Sequence, residues 1–114
     1  MKDIREIREV FHKDIREMGI SDNFLGEECF YLAMDIIREN PLRLCCISKS
    51  MYFDIADKLQ TNPACVERNF RTFISKLWNT DDHKYLDKIA GCRLTKKPSN
   101  KEFLDIMMVY WNQE

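Results

Sequence analysis

Arg68 and Arg71, with Glu67 beside them, are the residues whose types and spacing suit recognition chemistry. A guanidinium can take guanine O6 and N7 together, and a carboxylate can accept from cytosine N4. A helix showing Arg and Glu near its N-terminus therefore suits the major groove of a duplex. At about 100° per residue, Ala64, Arg68, Arg71 and Ser75 fall on one side of a helix over residues 63–78, with Glu67 on its flank. The same spacing admits a plainer account. Glu67 and Arg71 stand at i, i+4 and can form a solvated pair worth about 0.3 kcal/mol.

Two helices must position that face. Val66, Phe70, Phe73 and Leu77 recur at i, i+4, i+7, i+11, and Tyr52, Ile55, Ala56 and Leu59 at i, i+3, i+4, i+7, on either side of a short polar turn. Residues 52–78 thus read as a helix-turn-helix, with Ala56 small enough for a close crossing and Val66 facing back into it. Asn62-Pro63 supplies a cap and a first-turn proline for the second helix.

The run Tyr52, Asp54, Ile55, Ala56, Lys58, Thr61, Val66-Glu67-Arg68, Arg71, Ile74 and Trp78 resembles the C-terminal DNA-binding effector domain of the stage-zero sporulation response regulator of endospore-forming bacteria. Gly19 with Gly26 and the run from Phe30 to Met34 resemble that domain's opening helices. Lys97-Pro98-Ser99-Asn100-Lys101-Glu102-Phe103 resembles its Lys-Pro-Thr-Asn-Ser-Glu-Phe signature. The likeness spans nearly the whole chain, and two such segments at compatible separations are more specific than either motif alone.

The resemblance implies a transcription regulator domain that reads a short asymmetric box in double-stranded DNA and occupies tandem boxes as a head-to-tail homodimer. Carried over by position, Glu67 and Arg68 meet base edges, Arg71 meets the adjacent backbone or base, and Lys97 approaches phosphate. Ala64-Cys65 stands where the family often shows Ser-Arg, Thr72 where it often shows His, and Asp87 in a region where it tends to carry serines near the DNA backbone. These departures imply fewer phosphate contacts and a different preferred box. The family's intact proteins carry a phosphoacceptor receiver domain ahead of this one. This chain opens with its own Met one helix before the likeness begins, so no receiver domain and no phosphorylation switch are expected in it. The alternative is a stand-alone interaction protein that has lost DNA binding and pairs with a full-length sporulation regulator.

A chain of 114 residues, 45% hydrophobic and 32% charged, has room for one globular domain with one core. No apolar run approaches the roughly 18 residues of a membrane span, and the charged amphipathic start is unlike a secretory signal. A cytoplasmic protein with no membrane partner is expected. Net charge is −1, low for a DNA-binding domain, whose affinity draws largely on phosphate neutralisation. Residues 61–114 nonetheless carry nine basic and seven acidic groups. Arg68, Arg71 and Lys76, with Arg93, Lys96, Lys97 and Lys101 beyond them, can form a local basic face.

Five cysteines without a C-x-x-C pair, and two distant histidines, His12 and His83, argue against zinc and for reduced cysteines acting as small hydrophobes. Cys65 is set apart by its place in the first turn of the second helix, where the dipole favours a thiolate. Three glycines, Gly19, Gly26 and Gly91, form no phosphate-cradling cluster, and neither G-x-S-x-G nor H-E-x-x-H occurs. The acidic neighbours Glu27-Glu28 and Asp81-Asp82 fall near helix starts, where the dipole accounts for them. Neither catalysis nor a cofactor nor a metal is expected.

The remaining pattern predicts an all-α, compact bundle of about six to seven helices. A helix over residues 3–18 carries Ile4, Ile7, Phe11, Ile15 and Met18 on one stripe and stops at Gly19. A second over 24–39 centres on Leu25, Cys29, Leu32, Ala33 and Ile36, and a third over 40–48 starts at Asn40-Pro41. After the helix-turn-helix come a helix over 83–90 ended by Gly91 and, behind a Ser99/Glu102 capping box, a last one through 111. Residues 92–98 are expected to be a flexible connection with a phosphate-clamp-like lysine pair.

Overall fold

The computed structural model describes residues 4–20, 24–40, 42–43 and 49–111. Six α-helices are present among them: α1 (Ile4–Glu17), α2 (Phe24–Glu39), α3 (Lys49–Leu59), α4 (Pro63–Asn79), α5 (Lys84–Ala90) and α6 (Asn100–Trp111), with a 3-10 turn at Asp81–His83. No strand occurs among the described residues, so the protein is all-α. Its Cα radius of gyration is 13.4 Å, close to the ~13 Å of a compact chain of this length. No helix among the described residues is long and apolar enough to cross a membrane. The Ile4 side chain, Cys45, Cys46 and most of the helix expected over 40–48 lie outside the described residues. Asn40 does cap the 3-10 turn at residues 42–43, its side chain accepting from the Leu42 N–H at 3.2 Å.

Helix ends follow the local chemistry closely. Gly19, at φ +81°, ends α1, with the Ile20 N–H returning to the Ile15 carbonyl. Gly91, at φ +76°, ends α5 through a bond from its N–H to the Asp87 carbonyl. The α3–α4 turn is made without glycine. The Thr61 N–H returns to the Ala56 carbonyl and the Gln60 N–H to that of Asp57, placing Gln60 at φ +56°. A left-handed residue with a Cβ carries a cost of roughly 1–2 kcal/mol, and glycine is favoured at this position. Gln60→Gly is therefore expected to stabilise the fold by about 0.5–1 kcal/mol after the looser unfolded chain is allowed for. Thermal unfolding checks this: the midpoint rises by a few degrees, and a fall would show that the Gln60 side chain has a role of its own.

Packing is organised around α4, which touches α2, α3, α5 and α6 and buries Val66, Phe70, Phe73, Ile74 and Leu77. Ala56 and Val66 are both buried in the core, as the α3–α4 pattern requires. Phe30 of α2 lies at the centre, with ring centroids of Phe11, Phe103 and Trp111 at 5.2, 5.3 and 5.5 Å. The buried face of α2 differs from the expected stripe. Cys29 and Ala33 are buried as expected, but Leu25 is 53% exposed and Leu32 and Ile36 are half-buried, while Phe30, Met34 and Ile37 are buried in their place. This helix is apolar on more than one side, so several registers satisfy the period and the aromatic cluster selects among them. Glu27 is likewise more than a helix-start charge. It is buried, pairs with His12 of α1 and accepts from the Tyr31 hydroxyl at 2.8 Å.

Candidate nucleic-acid interface

α4 begins where Asn62 caps it, its Oδ1 accepting from the Cys65 N–H at 2.9 Å with Pro63 next in the chain. With Val66, Phe70, Phe73 and Leu77 turned into the core, Ala64, Arg68, Arg71 and Thr72 are exposed on the opposite side, and Glu67 and Ser75 are half-buried at its edges. The six residues singled out from the sequence are thus accounted for, five on α4 and Lys97 outside it. Lys97 joins the face through a hydrogen bond from its Nζ to Ser75 Oγ at 2.9 Å.

The two arginines differ. Arg71 Nη1 lies 2.6 Å from Glu67 Oε1, with the side chains 58% and 44% exposed. Such an exposed i, i+4 pair is worth about 0.3–0.5 kcal/mol. Arg68 forms no ion pair among the described residues and donates to Cys65 Sγ at 3.4 Å. The Cys65 thiol is held below its ordinary pKa, first by a hydrogen bond with Thr61 and further by the charge of Arg68. Two other cations of the expected basic face also carry partners, Arg93 with Asp82 at 3.6 Å and Lys101 with Asp105 at 3.0 Å. The basic face is more self-neutralised than the count of charges implied.

Residues 92–98, read as a flexible connection, are anchored at three points. The Leu94 N–H donates to Asp87 Oδ1 at 2.9 Å, Lys97 reaches Ser75, and Pro98 is buried. Asp87 is tied into its own turn. It accepts from Leu94 and sits 2.9 Å from His83 Nδ1, and the Leu94 N–H holds its carboxyl below the usual range. His83 stacks on Trp78 with centroids 3.8 Å apart and planes 2° from parallel. This stack closes a turn in which Asp81, Asp82 and His83 are all left-handed, at φ 50°, 54° and 49°. Backbone strain of this kind persists only where surrounding contacts over-determine it.

The segment after Lys97 forms the capping box in full. The Glu102 N–H donates to Ser99 Oγ at 3.1 Å and the Ser99 N–H to Glu102 Oε1 at 3.0 Å. Asn100 is the residue that sequence reasoning missed. Its Nδ2 donates to Tyr52 Oη at 3.0 Å and to the Glu67 carbonyl at 3.5 Å, joining α6 to both helices of the α3–α4 pair. It stands in the segment that resembles the family signature, but nothing in the sequence gives its side chain a partner.

A family model described as sporulation initiation factor Spo0A C terminal matches residues 7–110. No solved structure matches the chain.

Proposed function

Because the chain belongs to the sporulation initiation factor Spo0A C-terminal family, a family of DNA-binding transcription regulator domains, we propose that it reads a short box in duplex DNA with the outward side of α4. The observation that carries the reading is the exposure of Ala64, Arg68, Arg71 and Thr72 on a helix whose opposite side is wholly buried. The three-residue turn between α3 and α4 is compatible with a helix-turn-helix. In this reading residues 1–114 act as one effector domain. Arg68 takes a guanine edge, Glu67 accepts from a cytosine N4, and Arg71 exchanges Glu67 for the neighbouring backbone or base. Thr72 and Ala64 line the approach, and Lys97 contacts a phosphate. Breaking the Glu67–Arg71 pair costs little, and both groups regain partners in the groove. Tandem boxes would be filled by two copies placed head to tail.

Binding-site selection from a randomised library followed by fluorescence anisotropy tests the reading. Affinity is expected to be weak for a single copy and to fall steeply with salt. No binding at low salt, or equal binding to enriched and scrambled duplexes, rejects it. Lys97→Ala should weaken binding to both duplexes alike and reduce the slope of log K against log salt by about 1. An effect confined to the enriched duplex would instead give Lys97 a base-reading role.

The Glu67–Arg71 pair and the net charge of −1 favour one second reading, an interaction protein that pairs with a full-length sporulation regulator without touching DNA. Co-elution with such a regulator on size exclusion in the absence of DNA would support it. Co-elution only when DNA is present would count against it.

A further inference from the structure

We propose that Asn100 is a positioning residue for recognition. Its side-chain amide fixes the roll of α4 against α3 and so the direction in which Glu67 and Arg68 meet a base edge. The inference rests on the duplex reading proposed above.

The amide has two N–H donors. One goes to the Tyr52 hydroxyl and the other to the Glu67 carbonyl, partners 48 and 33 residues away in the chain. A helical carbonyl already accepts from the amide four residues on, and its second lone pair is what Asn100 reaches. Ser99 and Glu102 complete the α6 cap without Asn100, so the amide is not spent on holding its own helix. With α6 held to α3 and α4 by the two donors of one amide, the junction of the three helices opposes rotation of α4 about its axis. A roll of about 10° moves a side-chain tip some 6 Å from the axis by about 1 Å, beyond the tolerance of a bidentate contact.

Asn100→Asp and Tyr52→Phe separate positioning from folding. Aspartate in the first turn of α6 suits the helix dipole but cannot donate to the Glu67 carbonyl, and phenylalanine removes only a hydroxyl. Anisotropy with the enriched and scrambled duplexes is expected to show discrimination reduced about tenfold in each variant. Affinity for the scrambled duplex should change less than twofold, and the melting temperature should stay within a few degrees of the unaltered protein. Unchanged discrimination in both variants overturns the inference alone. Equal weakening on both duplexes together with a lowered melting temperature also overturns it, leaving Asn100 a structural role. If the unaltered protein does not discriminate, the duplex reading itself fails and this inference falls with it.

Discussion

Arg68→Ala is expected to reduce the preference for the enriched duplex over a scrambled one by roughly 5- to 150-fold, equivalent to 1–3 kcal/mol for one bidentate base contact. The loss should concentrate at a single base pair, because a guanidinium on guanine reads that position and no other. Arg68 is exposed and forms no ion pair among the described residues, so its removal should leave stability within about 0.5 kcal/mol. Anisotropy against a panel of single-base variants of the enriched duplex reads both the size and the position of the effect. A uniform loss across the panel would make Arg68 a backbone contact, and no loss would remove it from the interface.

Phe30→Ala is expected to produce the largest loss of stability in the molecule, about 3–5 kcal/mol. The ring is fully buried and surrounded by Phe11, Phe73, Phe103 and Trp111, so truncation opens a cavity that α1, α4 and α6 would have to close. Against a typical total of about 5–15 kcal/mol, the variant should be partly unfolded at growth temperature. Urea unfolding followed by circular dichroism measures this. A loss below about 1 kcal/mol would mean that the cluster repacks freely around the vacated site.

What was legible in the sequence was local. Asn62-Pro63, Gly19, Gly91 and the Ser99/Glu102 box each act within a few residues, and each stands where its chemistry put it. The α4 stripe was legible because polar residues on its other side leave one register open, whereas on α3 Met51 is buried and Phe53 exposed outside the expected stripe. The buried face of α2 was not, since an apolar surplus fits several registers and distant rings decide among them. The Asn100 bonds, the Lys97–Ser75 bond and the Leu94–Asp87 bond depend on how loops return to α4 and α5. No period in the chain encodes that return. The same limit applies to Asp87, whose charge is visible in the sequence while its partners Leu94 and His83 are not.

The 2.6 Å contact between Glu67 and Arg71 bears on how such a protein would search a genome. A charge pair that closes on itself adds little long-range pull on polyanions and leaves Arg68 and Lys97 to supply it. Only a groove that offers both a donor for the carboxylate and an acceptor for the guanidinium repays opening the contact. On any other site the freed carboxylate faces phosphate and shortens the dwell. At about 0.3–0.5 kcal/mol the closed pair adds roughly a factor of two to selectivity, beside the larger share carried by Arg68.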